Sequence, residues 1–175
     1  MPITMPGASK TLAQKEAREL RYHALDARLE LSADALITQI GHDNTGLTRD
    51  TSWNTTSEKV VTGAQTEYTT RGEETMSVDP FYCRKGDPVS LLLQHIDMAE
   101  LEGDAIKRFY YEAKVDETGE TIYAFKKLAS VKPTSFGGEA AEADSIPFEL
   151  ALSGKKIPQD FDFATGEFTD VTVTP

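Results

Sequence analysis

The sequence predicts a mainly β domain: a sandwich or partly closed barrel with one helix packed against it and a long polar loop. Three observations carry this. Short apolar segments with a period of two recur between Gly-, Asp- and Pro-rich breaks. Only one window, Asp87–Leu101, has a clear helical period. The stretch from Thr48 to Thr75 is crowded with Thr and Ser, and β-branched Thr suits a half-buried pleated surface.

The chain has 175 residues, 39% hydrophobic and 27% charged, which suits one core and not two. We read it as a single domain over 1–175, with a flexible N-terminal arm at 1–14 and a polar tail at 169–175. Its net charge is −11 and its pI about 4.7. Such a surface repels phosphate and disfavours tight duplex binding. The single cysteine, Cys83, rules out an intramolecular disulfide and a cysteine zinc site. The first twenty residues lack the apolar run of a secretory signal, and no window is apolar enough to span a bilayer. A reducing cytosol is the expected place of synthesis or assembly.

Residues 13–31 give two signals. Ala, Lys, Glu, Arg and Leu favour a helix, yet Leu25, Ala27, Leu29 and Leu31 alternate with Asp26, Arg28, Glu30 and Ser32 as in a strand. The alternation predicts a strand from Arg21 to Leu31. Ala35–Ile40 predicts a second, with a turn at Gly41-His42-Asp43-Asn44. The Thr-rich stretch then reads as strands joined by a polar loop over Asp50–Thr62, continuing as a strand from Thr66 to Val78. Asn54-Thr55-Thr56 matches a glycosylation acceptor, which without a secretory signal reads as chance.

Asp87 is placed as helix N-cap and Pro88 as first helical residue. Val89, Leu92, Leu93 and Ile96 form the apolar face, and Glu102-Gly103-Asp104 the stop. A meander follows. Lys107–Val115 and Thr121–Lys132 pair across the turn Asp116–Glu120, and Phe136-Gly137-Gly138 breaks the chain. Ile146, Phe148, Leu150 and Leu152 mark one face of a strand with Pro147 at its start. A turn is expected within Phe161–Phe168.

Little in the chain looks catalytic. His23, His42 and His95 are too scattered for a metal site; His42-Asp43 and His95-Ile96-Asp97 read as a turn and a helix surface. Gly137-Gly138 lacks a phosphate-loop context, and no Gly-x-Ser-x-Gly elbow occurs. Cys83, beside Arg84-Lys85, reads as a half-buried structural thiol. Glu73-Glu74 and the acidic run from Glu139 to Asp144 lack a calcium-loop pattern and read as solvated faces. Phe109, Tyr110, Tyr111, Tyr123 and Phe125 read as core and not as a base-stacking platform. Catalytic residues, metal ligands and cofactors are accordingly all expected to be absent.

The order of segments resembles a known family: the major tail, or tail tube, proteins of long non-contractile-tailed phages of Gram-positive bacteria. The resemblance runs from about Leu20. It rests on the strand ending near Ile40, the Thr48–Gly63 loop (Thr-Arg-Asp-Thr…Thr-Thr-Ser-Glu-Lys-Val-Val-Thr-Gly) and a Thr/Glu-rich strand pair at 65–79. It continues with the helix Asp87–Leu101, Arg108-Phe109-Tyr110-Tyr111-Glu112-Ala113, Tyr123–Leu128, Ser145–Leu150 and Asp162–Phe168. The helix-prone segment 11–28 departs from the pattern.

The resemblance implies a tail-tube-type β-sandwich subunit. Six copies would form a ring by joining sheet edges, and rings would stack into a hollow tube enclosing the tape measure protein and conducting DNA at ejection. Tail-tip and terminator proteins would be further partners, the virion the final location and the host cytoplasm the assembly site. Thr48, Arg49, Asp50, Thr51, Trp53, Thr55, Thr56, Glu58 and Lys59 would belong to an inter-ring loop that orders on contact. Two alternatives stay open: another tube or terminator component of a phage tail or related injection machine, and a small acidic β-sandwich module binding glycan or protein.

Overall fold

A computed structural model describes residues 21–41, 47–59, 61–63, 65–137 and 144–171. The expected N-terminal arm, most of the Gly41–Asn44 turn, the acidic run from Glu139 to Ala143 and the last four residues of the tail lie outside them. The strands are β1 (Arg21–Asp26), β2 (Ile37–Gln39), β3 (Thr48–Lys59), β4 (Gln65–Val78), β5 (Lys107–Val115), β6 (Thr121–Pro133), β7 (Phe148–Asp162) and β8 (Glu167–Asp170). One helix, α1 (Pro88–Met98), and a 3-10 turn (Gly103–Ile106) separate β4 from β5. All pairings are antiparallel, in the order β2-β1-β5-β6-β7-β4-β3, with β8 added to β7. The mainly β class read from the sequence is the observed one.

The sheet rolls without closing. β3 and β5 are separated by three strands, so a flat sheet would hold them roughly 19 Å apart. Yet the Arg49 guanidinium on β3 donates to Glu112 on β5 at 2.9 Å. Only a curled sheet brings those side chains together. The concave face carries Leu25, Tyr110, Phe125, Val131, Leu150, Phe148, Met76 and Val78, all buried, and α1 covers it with Val89, Leu92, Leu93 and Ile96. The opposite face carries Ala24, Tyr111, Ala113 and Ala124, against which the β7–β8 end lays Phe161 and Phe168. Phe161 and Phe168 lie 4.6 Å apart, Tyr111 and Phe168 5.2 Å. The two parities of β5 therefore fill two cores, which is why that strand is buried almost throughout.

Several boundaries differ from the expectations. The strand begun at Arg21 ends at Asp26 and not Leu31. The Asp26 carboxylate accepts from the backbone N–H of Leu36 at 3.0 Å and pairs with Arg28 at 2.6 Å, which turns the chain. Leu29 and Leu31, the residues that extended the alternation, are exposed. The second strand shortens to Ile37–Gln39.

The helix keeps its predicted start: Asp87 accepts from Ser90 N–H at 2.8 Å and from Ser90 Oγ at 2.7 Å, with Pro88 in the first turn. It stops at Met98, before the expected Leu101. Glu100 takes φ 48°, its N–H reaching Asp97 O while Leu101 N–H reaches Ile96 O at 3.0 Å. That is a Schellman closure with a glutamate where glycine is usual. Gly103 instead opens the 3-10 turn.

β7 is longer than the Ile146–Leu152 segment expected, because a bulge at 154–156 lets the strand resume. The Phe161–Phe168 turn contracts to residues 163–166, and the first two residues of the expected tail are in β8.

Candidate assembly surface

The largest correction concerns the segment read as a polar loop. Residues 50–59 belong to β3, an edge strand paired with β4 from Thr48↔Ser77 to Lys59↔Gln65. Only the connection at 60–64 lies between the strands. The expected strand pair within 65–79 is the single strand β4. The loop reading failed because an exposed strand buries nothing and shows no apolar alternation. The inner side of its backbone is paired in the ladder, and Thr faces Thr across it, as in Thr55 Oγ1 and Thr69 Oγ1 at 3.3 Å.

β4 pairs with β7 through Glu74–Val78. Beyond that point β3 and β4 leave the sheet as a two-stranded ribbon, residues 53–59 against 65–71. At about 3.4 Å per residue the ribbon is roughly 24 Å long. Neither outer edge of the ribbon has a strand beside it among the described residues. Trp53 is 61% exposed and Tyr68 58%. Cross-strand support comes from Arg71, whose guanidinium lies 5.7 Å from the Trp53 ring centroid. A bulge sets the ribbon off: Thr51 faces Glu74 but Trp53 faces Arg71, so Gly72 and Glu73 stand against Ser52 alone. A Cβ on Gly72 would come within 2.4 Å of Ser52 Oγ and 3.3 Å of its carbonyl oxygen, so a side chain there must push Ser52 aside and the close crossing favours glycine.

The nine residues assigned to a loop thus divide. Thr48, Arg49, Asp50 and Thr51 belong to the rolled sheet, and Trp53, Thr55, Thr56, Glu58 and Lys59 to the ribbon. The helix residues Val89, Leu92, Leu93 and Ile96 plug the core, with Ile96 at the edge of it, while Asp87 and Pro88 form the helix start.

Below the ribbon root lies a charged network missed by the sequence reading. Arg49 donates to Glu74 at 2.8 Å and to Glu112 at 2.9 Å. Arg71 reaches Glu74 at 2.7 Å, and the Lys127 ammonium pairs with the same carboxylate. The Tyr123 and Tyr110 hydroxyls donate to Glu112 at 2.8 and 3.1 Å. Tyr110 oxygen is then left to accept from His23 Nδ1 at 2.6 Å. Glu74 and Glu112 are each 1% exposed.

Glu74 is therefore not part of a solvated acidic face. The signal was parity: Glu74 shares the parity of Met76 and Val78, Glu112 that of Tyr110, and Lys127 that of Phe125 and Ala129. A charge on the apolar parity of a strand implies a buried partner.

Burial alone would raise both carboxylates. For Glu74 the hydrogen bond and charge of Lys127, then Arg49 and Arg71, outweigh it and hold the group below its usual range. For Glu112 the chief opposing effects are Arg49 and the Tyr123 hydroxyl. Burial, with Glu112 nearby, pushes the Tyr123 phenol up to about 12. The site thus keeps its carboxylates ionised and its phenols protonated, fastening edge strand β3 across the barrel to β5.

Elsewhere, Cys83 is half-buried, its thiol pushed up by burial and by Asp144. Among the described residues no group of His, Cys, Asp or Glu could hold a metal ion. No helix there is long and apolar enough to cross a membrane.

Fold and surface together define an open, rolled antiparallel β domain with a projecting two-stranded arm. Compared with protein-family models and with curated proteins, the chain matches none.

Proposed function

We propose that this protein is a structural, self-assembling subunit of a phage tail tube. Copies would form rings, hexameric in the family it resembles, and rings would stack into a conduit. The observation that supports this best is the unsupported ribbon. An isolated two-stranded hairpin is marginal in water, and an exposed twelve-residue edge is a template for another chain. Both features make sense if the ribbon meets a neighbouring copy. The net charge of −11 fits a conduit along which DNA slides without binding. The tape measure protein would fill the lumen before ejection, with tip and terminator proteins at the tube ends.

The test is negative-stain electron microscopy of the purified protein across a concentration series. Rings or hollow tubes are the expected result; particles without a central channel at every concentration count against it. A second reading, a glycan- or protein-binding module, is favoured by exposed Trp53 and Tyr68. It predicts a soluble monomer that retains a glycan in a binding screen and loses it on Trp53→Ala.

A further inference from the structure

The bulge in β7 places a further ammonium at the ribbon root, over the face of Phe125. Leu128 faces Ser153 and Lys126 faces Ile157, so residues 154–156 bow out opposite Lys127, with Gly154 at φ 72°. Lys156 Nζ comes to lie 4.2 Å from the Phe125 ring centroid, and the Arg49 guanidinium lies 5.4 Å from the same centroid. The carboxylates here are already engaged: Glu74 by Arg49, Arg71 and Lys127, Glu112 by Arg49. Lys156 forms no hydrogen bond or ion pair with any described residue. Four cations (Arg49, Arg71, Lys127, Lys156) thus meet two anions (Glu74, Glu112), an excess of two positive charges on a chain whose net charge is −11. Burial and then Arg49 lower the Lys156 pKa, against the opposing pull of Glu74 and Glu112.

The complement lies at the other end of β6. Phe125 and Pro133 are eight residues apart on that strand, roughly 27 Å. Beside Pro133 the C-terminal end of α1 forms a recess of about 350 Å³ lined by Ile96, Leu101 and Phe136 with Asp97, Glu100 and Glu102. Those three carboxylates add to the negative end of the helix dipole.

We propose that the basic patch at Lys156 and Arg71 accepts the α1-end carboxylates, Asp97, Glu100 and Glu102, of a second copy of this chain. Two different patches at opposite ends of one molecule make a heterologous contact, which propagates head to tail and does not stop at a dimer. The inference rests on the self-assembly reading above and names a second contact between copies, beside the ribbon.

The test is sedimentation velocity of the full chain and two charge reversals, Lys156→Glu and Glu100→Lys, over a concentration series at low and high salt. Wild type should associate at low salt and dissociate as salt rises. Each variant alone should associate at least about tenfold more weakly, and an equimolar mixture should recover association between unlike chains, because the unaltered basic patch of Glu100→Lys meets the unaltered acidic patch of Lys156→Glu. Circular dichroism checks folding; if Lys156→Glu does not fold, Lys156→Gln with the same pairing logic replaces it.

A folded variant that associates like wild type, a mixture that gains nothing, or a wild type monomeric at millimolar concentration in low salt would overturn the inference. The tube reading fails separately. Salt-sensitive chains without a channel would remove the tube and keep this contact; tubes built by Lys156→Glu alone would do the reverse.

Discussion

Replacing Arg49 by Met is the sharpest test of how the rolled sheet is held. Met keeps much of the aliphatic packing and removes the guanidinium, hence the contacts to Glu112 at 2.9 Å and Glu74 at 2.8 Å. Glu74 retains Arg71 and Lys127. Glu112, 1% exposed, keeps the tyrosine hydroxyls but loses the guanidinium that offsets its burial.

Breaking one side of a buried pair costs about 3–5 kcal/mol. Arg49 is only 17% exposed, so little solvent screening reduces this, and we expect about 3 kcal/mol at pH 7. At roughly 2–4 °C per kcal/mol for a chain of this size, Tm should fall by about 6–12 °C.

The pH dependence follows by linkage. In wild type the Glu112 pKa is depressed, so its contribution is present at neutral pH and lost as pH falls through the folded-state value. In Arg49→Met, burial acts with less opposition and the Glu112 pKa rises. The variant's deficit is then largest at neutral pH and shrinks as pH falls through the carboxylate range. Urea unfolding at pH 7 and at about pH 4.5 measures both quantities. A loss under about 0.5 kcal/mol at pH 7, the range of an ordinary surface change, would refute the clasp. So would a loss equal at both pH values.

Three further predictions follow from particular contacts. Gly72→Val should push against Ser52 and open the bulge at about 1–3 kcal/mol; amide exchange should accelerate over 53–71 and stay slow in β5 and β6. Asp87→Ala removes two acceptor contacts to Ser90 and should cost about 1–2 kcal/mol by urea unfolding, whereas Asp87→Asn should cost less. Replacing residues 54–70 by a two-residue Asn-Gly turn keeps Arg49, Arg71 and Glu74; Tm should stay within a few degrees of wild type. A deletion that cut back to Asp50 would instead remove Thr51, whose hydroxyl donates to Glu74 at 3.3 Å, and would damage the sheet.

The parts of the fold legible in the sequence were those where local chemistry and burial agree. Asp87 and Pro88 fix the start of α1, and the Asp116–Glu120 turn fixes the β5–β6 register. Leu29 and Leu31 misled because alternation is necessary for a strand but not sufficient. Asp26 and Arg28 tie the chain into a turn that only the tertiary structure reveals. The ribbon was hidden for the opposite reason, since strands with both faces in water carry no period. The charged root was half-legible: parity marks Glu74, Glu112 and Lys127 as inward, but that Arg49 closes the set depends on the curl of the whole sheet.

The central claim is that the β3–β4 ribbon is the element through which copies assemble. Its most direct test is negative-stain electron microscopy of the full chain beside the ribbon-shortened chain at matched concentrations. The account predicts rings or tubes from the full chain and neither rings nor tubes from the folded, shortened one. Tubes of normal appearance from the shortened chain would contradict it.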